Sequence, residues 1–280
     1  CSCSAPQPEV ADASDDANEV DRTDVPPVAV CGPTIASLPW TNATLDGSAS
    51  YDPGGNLPLN YAWNLIQSPL GSHATVPAGS DPSPSLLVDV GGAYVVALTV
   101  TNRVGMSSAP CSMTVEVTPS DALVVELSWG FDGDDLDLHL LEANGGDGQP
   151  GLPRTDGDCY WGTCRGDGDW GVELDWGVAG DATDNPRLRD SFYSGVGPEI
   201  ASIEAPAESP YDGWYRILVH DYPGSIFMGP NPAAVRLWLN GTNVQTWVFT
   251  LQGEDADYSV GMVHWPSGQV ADCDGLAGCP

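Results

Sequence analysis

Apolar residues in this chain recur at every second position, in short runs parted by glycine and proline. Nowhere do they hold a helical three-to-four spacing for the length of a helix. Tyr61, Trp63 and Leu65 share one strand face; Tyr94, Val96, Leu98 and Val100 share another; Met113, Val115 and Val117 share a third. Turn chemistry separates them at Asp52-Pro53-Gly54-Gly55-Asn56, Pro77-Ala78-Gly79 and Gly91-Gly92. Further on, Leu123, Val125, Leu127 and Trp129 read as a half-buried strand. Leu136, Leu138 and Leu140 alternate with Asp135, Asp137 and His139, giving one apolar face and one ionisable face. Strands are expected over 214–221, 233–239, 243–251 and 258–265, and Asn240-Gly241 between two of them is a type I′ hairpin signal. This pattern predicts an all-β chain of two tandem β-sandwich domains, each large enough to bury its own core. No run is long and apolar enough to span a bilayer as a helix.

The expected boundaries follow composition. Residues 1–25 form an acidic tether, with Asp12, Asp15, Asp16, Glu19, Asp21 and Asp24 and little to build a core. As a flexible coil it spans about 25–30 Å. Residues 26–119 make an Ig-like sandwich, residues 120–270 a larger sandwich, and residues 271–280 a disulfide-closed tail. Between Glu142 and Glu199 the larger domain carries a long Asp- and Gly-rich stretch, with 12 acidic residues against 4 Arg. A connection of that length needs a fastener, either a disulfide or a bound metal.

Charge excludes one class of partner. The chain has 39 acidic and 8 basic residues, every basic one Arg, and a formal charge of −31. Such a surface repels phosphate backbones and anionic lipid, so nucleic acid is not a partner. It suits divalent cations, high salt, or simple solubility. Without Lys, no Lys–Asn isopeptide cross-link can form.

Eight cysteines in so turn-rich a chain point to an oxidising compartment. Cys159 and Cys164 are near neighbours, as are Cys273 and Cys279. Cys31 and Cys111 bracket the first domain, and their bridge is worth about 4.5 kcal/mol in the chain-entropy model. Cys1 and Cys3 are too close to bridge without strain. A chain starting at Cys1 resembles a processed bacterial lipoprotein, with acyl chains on Cys1. The resemblance implies a Gram-negative outer-membrane anchor and a cell-surface or extracellular location, and Cys3 is left free or paired with another molecule.

Two further resemblances rest on specific residues. Pro26-Pro27-Val28-Ala29-Val30, the run from Leu45 through Gly47 and Asp52 to Pro53, Tyr61-Ala62-Trp63, and Gly92-Ala93-Tyr94 continuing to Asn102 resemble a PKD (polycystic-kidney-disease-type) domain. That family implies a sandwich spacer or adhesion module without catalysis. Its acidic Asp-Pro-Asp-Gly-Asp turn is here Asp52-Pro53-Gly54-Gly55-Asn56, so a calcium site there is weakened. In the second domain, Trp129, Asp134 to His139, Asp158-Cys159-Tyr160-Trp161, Asp169-Trp170-Gly171, Asp184-Asn185-Pro186, Gly197-Pro198-Glu199 and Val219-His220 occur in that order. They are similar to a β-rich domain of secreted bacterial proteins, found with von Willebrand or PKD modules and in myxobacteria-like lineages. The resemblance does not specify an activity.

The site expected from these residues is a metal centre on the ionisable strand face. Asp132, Asp134, Asp135 and Asp137 offer hard oxygens of the kind Ca²⁺ takes, with Asp175, Asp181, Asp190 and Glu199 of the long loop to complete the set. The alternative is a solvated acidic face. His139 and His220, with Asp137 or Glu199, offer instead a transition-metal pair, or else two histidines hydrogen-bonded to carboxylates. Trp161, Trp170 and Trp176 in the acidic stretch are the expected ligand contacts, whereas Trp63, Trp129 and Trp247 read as core. Gly166 to Gly171 spells G-x-G-x-x-G without joining a strand to a helix, and its two Asp repel pyrophosphate. No nucleophile–base motif is present. The expected function is therefore non-catalytic: an extracellular surface protein for adhesion, binding or structural display, with a calcium-stabilised loop. Two alternatives stand beside it. One is a self-assembling homo-oligomer or polymer in a filament or sheath; the other is a polysaccharide-binding accessory module of a secreted hydrolase. The expected partners are a surface polysaccharide, a protein ligand, or further copies of the chain.

Overall fold

The computed structural model describes residues 25–131, 133–142, 157–164, 174–189, 197–207, 213–223, 229–252, 255–275 and 279. Among these there is no helix; the elements are sixteen strands in two sandwiches. In the first domain they are β1 (Ile35–Ser37), β2 (Thr41–Thr44), β3 (Asn60–Gln67), β4 (Ser85–Val88), β5 (Gly92–Thr101) and β6 (Cys111–Val117). One sheet runs β1-β6-β5-β3, with β1 parallel to β6, and β2 pairs with β4 in the second. Tyr94, Val96, Met113, Val115 and Val117 from the larger sheet meet Ala43, Leu86 and Val88 from the smaller. Alternation on β5 and β6 puts these residues on one face. A disulfide joins Cys31 to Cys111 on β6. Asp52 holds the turn after β2 by accepting from Asn102 Nδ2 (2.7 Å), which ties two parts of the PKD-like signature together.

The second domain holds β7 (Leu123–Trp129), β8 (Leu136–Glu142), β9 (Asp158–Cys159), β10 (Arg187–Arg189) and β11 (Glu199–Ile203), then β12 (Trp214–Asp221), β13 (Asn231–Leu239), β14 (Thr242–Leu251), β15 (Ala256–His264) and β16 (Gln269–Gly275). Two five-stranded antiparallel sheets, β10-β11-β7-β13-β14 and β16-β15-β12-β8-β9, face each other. Leu123, Val125, Leu127 and Trp129 from one sheet and Leu136, Leu138, Leu140, Ile217 and Val219 from the other fill the space between. The hairpin between β13 and β14 has Asn240 at φ 48° and Gly241 at φ 73°, the two left-handed residues a type I′ turn requires. Residues 269–275, expected to straddle a domain boundary and begin a tail, instead form β16 along the edge of β15. The Cys273–Cys279 disulfide follows from that strand.

β7 is buried over its whole length and not on one face only. Its second face is covered by the first domain. Gly91 N–H donates to Glu126 Oε1 (2.9 Å), and Trp238 Nε1–H donates to Oε2 of the same carboxylate (2.7 Å). Arg236 donates to Ser128 Oγ (2.9 Å) and to the Leu70 carbonyl (2.5 Å). Two glycines of the first domain allow this approach. A Cβ on Gly91 would lie 2.4 Å from Trp238 Cζ2, and one on Gly71, itself at φ 74°, 2.6 Å from Ser128 Oγ. The connection between β6 and β7 is also fixed, with Thr118 N–H on the Ser37 carbonyl (3.0 Å) and Ala122 N–H on the Glu204 carbonyl (3.2 Å). The two sandwiches are joined by a buried polar interface as well as by the chain.

Candidate functional site

The ionisable face of β8 lies on the outside of the second sheet. Strand register sets Asp137 opposite His220, and His220 opposite Asp257, so three ionisable residues form a row across β8, β12 and β15. One step along, His139 stands opposite Leu218. The imidazoles are held separately. His139 Nδ1 lies 3.0 Å and 3.2 Å from the two oxygens of Asp158 on β9, and His220 Nδ1 lies 2.8 Å from Asp257 Oδ1. The first pair is closed off, His139 and Asp158 being 2% and 1% exposed. Tyr160 stacks over the imidazole at 4.9 Å. That ring is placed by a tight turn in which Thr163 and Cys164 N–H both donate to the Tyr160 carbonyl, and the Cys159–Cys164 disulfide closes it. A carboxylate on Nδ1 fixes the tautomer and ring orientation of each histidine.

The other sequence-selected carboxylates point elsewhere. Asp134 accepts from Asn231 Nδ2 (2.8 Å), and Asn231 Oδ1 takes the N–H groups of Gly130 and Phe131, which clamps the end of β7. Glu199 comes from the opposite sheet and accepts the Leu138 N–H of β8 (2.7 Å). Asp135 lies just before β8, and its carbonyl takes the Tyr222 N–H. Asp132 lies outside the described residues, as do Trp170 and Cys1. Among the described residues no three His, Cys, Asp or Glu side chains converge closely enough to hold a metal. Ca²⁺ takes six to eight oxygens, and of the described carboxylates Asp134 and Glu199 are engaged by protein donors on different elements.

The tryptophans divide as well. Trp176, expected as a ligand contact, is instead part of the core: it is 3% exposed and stacks on Tyr215. Asn185 Oδ1 takes its backbone N–H, and Asp184 Oδ2 takes that of Val178, so Asp184-Asn185 fastens a loop. Trp161 is 41% exposed, edge-on to Tyr160, and remains available at the surface. Trp129 is fully buried, with Gly197 flat against its ring. Of the second-domain motif residues that are described, Asp134, Asp158, Asp184-Asn185 and Glu199 serve as fasteners of a loop-rich sandwich, while Asp169-Trp170-Gly171 lies outside the described residues.

No family model and no curated protein matches the chain. Among solved structures it is similar to the PKD domain of the KIAA 1837 protein, at 28% identity over 32% of this chain and 83% of that one, with a TM-score of 0.27. It is similar to the PKD domain of human KIAA0319 at 23% identity, over 36% of this chain and 89% of that one, with a TM-score of 0.29. A nucleoside hydrolase-related protein of Saccharophagus degradans, associated with carbohydrate metabolism, is similar at 20% identity over 33% of this chain, with a TM-score of 0.30. The chain spans only 26% of the length of that protein. At such scores these likenesses carry no argument about what the chain does. The three disulfides fit an extracellular protein.

Proposed function

We propose that the chain is a non-catalytic extracellular binding and display protein whose two sandwiches work as one rigid unit. The observation that carries this reading is the interdomain joint. A buried carboxylate, guanidinium and indole N–H meet there; the carboxylate accepts from the indole and from the Gly91 N–H, and the guanidinium donates to the Leu70 carbonyl. A flexible spacer would leave those groups to water. A rigid joint fixes the distance and angle between the surfaces at its two ends, which is useful for presenting a binding surface and of no use to a tether. Small-angle scattering tests the mechanical half: one narrow distance distribution is expected, and a broad, salt-dependent one overturns it. A polysaccharide binding and hydrolysis screen tests the other half. Binding without turnover supports the reading, and turnover of any glycan overturns it.

A second reading, self-assembly by strand addition, is favoured by β14. This ten-residue edge strand carries no charge in a chain with 39 acids, and Val248 on it is 64% exposed. Edge strands are ordinarily blunted by charge or proline. Val248→Lys is expected to leave the melting temperature unchanged and to abolish any concentration-dependent filaments seen by negative stain. Filaments that persist in the variant remove β14 from the account.

A further inference from the structure

A groove of about 400 Å³ runs along the interdomain joint, with Val124 and Ile200 of the β7/β11 pair in its lining. Its walls are Leu38, Pro39 and Trp40 from the turn between β1 and β2, Pro119 from the connection, and Arg187 and Arg189 from β10. Three observations single it out.

The first is Trp40. It stands at φ 58° directly after Pro39, at the turn position where a left-handed backbone calls for Gly or Asn. A bulky side chain there costs about 1–3 kcal/mol of strain. Its Nε1–H is also buried without a hydrogen-bond partner. Two costs meet in one residue, and neither is needed to make the turn.

The second is Arg189. Its guanidinium lies 4.5 Å from the centroid of the Trp40 ring. Among the described residues it has no ion-pair partner, although the chain holds nearly five acids for each base. A guanidinium laid on an indole is oriented in advance and keeps its N–H fork for an oxyanion.

The third is Arg187, two residues along β10 and so on the same face. It pairs with Asp121 (3.4 Å) and Glu204 (3.3 Å), and with 52% of its side chain exposed these contacts are weak and exchangeable. Two of the eight basic residues of the chain thus sit on one wall, facing apolar surface from Leu38, Pro39 and Pro119.

From this arrangement we infer that the groove binds an acidic polysaccharide. The arginines take carboxylate or sulfate oxygens, and the proline and leucine surface takes the C–H face of a sugar ring. An acidic peptide would use the same arginines, but it has no rigid ring to lie on the flat apolar wall. The size suits a short oligosaccharide stretch and falls within the usual range of ligand sites. The inference rests on the proposal that the chain is a rigid binding module, because the walls come from both domains. It names the place and the ligand class within that proposal.

The test is calorimetric titration of the full chain at about 0.15 M salt, where the long-range repulsion of a −31 protein is screened beyond ~8 Å. Polygalacturonate and dextran sulfate are the probes, with dextran and poly-glutamate as comparisons. One acidic polysaccharide is expected to bind, polygalacturonate or dextran sulfate according to whether carboxylate or sulfate is preferred. Arg189→Ala and Trp40→Asn are each expected to weaken it at least tenfold, while small-angle scattering stays unchanged. Trp40→Asn is expected to melt no lower than the wild type, since Asn accepts the left-handed turn. Glu204→Gln removes one of the two carboxylates that hold Arg187 and is expected to tighten binding. Preference for poly-glutamate or equal binding of dextran overturns the ligand class. Acidic-polysaccharide binding that survives Arg189→Ala overturns the site but leaves the binding module standing. No binding to either acidic probe overturns the inference, whereas turnover of a glycan overturns the module itself.

Discussion

The two outer faces of the second sandwich both bury ionisable groups, and they satisfy them in opposite ways. On the β7/β13 face, Glu126 and Arg236 are completed by the backbone of another domain, at Gly91 and Leu70. On the β8/β12 face, His139 and His220 are completed by carboxylates of their own sheet, Asp158 and Asp257. A polar strand face is therefore not by itself a solvent face. The first arrangement makes two domains depend on each other; the second depends only on register and one disulfide-closed turn. Damage to the first face is therefore expected to spread to the whole molecule, and damage to the second to stay local.

The largest expected effect is that of Glu126→Ala. It leaves the Gly91 N–H and the Trp238 indole N–H without their acceptor and opens a void between the domains. An unmet buried donor costs about 1–3 kcal/mol, and two of them with a cavity are expected to lower stability by about 3 kcal/mol. Denaturant unfolding measures the loss, and scattering should show the distance distribution broadening. A loss below about 1 kcal/mol with unchanged scattering would show that the joint is held by something other than this carboxylate.

The next effect is a pH dependence. Burial pushes the Glu126 carboxyl up to about 7 from an ordinary value of 4.5, against the opposing pull of the Gly91 and Trp238 hydrogen bonds and of Arg236. A raised carboxyl binds its proton more tightly in the folded state. Its contribution is therefore fully present below pH 4.5 and is lost as pH rises through 7. Across that window the loss is on the order of 3 kcal/mol at ~1.4 kcal/mol per unit. Glu126→Gln cannot titrate. The advantage of the wild type over this variant is expected to be greatest near pH 5 and to shrink toward pH 8. An advantage that grows with pH would reverse the sign of the account.

These effects could not be read from the chain alone, and the reason is physical. Alternation located β12 at 214–221, because one apolar face in every second position needs no knowledge of the rest of the fold. Asn240-Gly241 announced its hairpin for the same local reason. Gly91, in contrast, reads as turn chemistry, and only the approach of Trp238 from 147 positions away in the sequence gives it a second role. Trp176 sits among acidic residues and looks exposed, yet its neighbour in space is Tyr215. Trp40 carries no local signal beyond the oddity of Trp after Pro in a turn. Its meaning comes from Arg189 on a distant strand. Local periodicity determined the strands, while the joint and the groove exist only where distant segments meet.

The smallest effects compare the two histidines with each other, and they ask whether the β8/β12 face is one coupled site or two separate pairs. His139→Ala removes a buried imidazole from between Asp158 and Tyr160, so it takes away both the N–H that Asp158 accepts and the surface under the Tyr160 ring. A loss of about 2 kcal/mol is expected, from the buried hydrogen bond and the cavity together. His220 and Asp257 are 11% and 14% exposed, so water can replace part of what His220→Ala removes. Here about 1 kcal/mol or less is expected. Because each imidazole is held by its own carboxylate, on strands that flank β8 and β12 from opposite sides, the double variant should lose the sum of the two. Additivity, measured by denaturant unfolding, fits two independent fasteners. A coupling larger than about 1 kcal/mol would mean that the histidines share a partner across the Asp137 position, and the face would then have to be treated as a single functional centre.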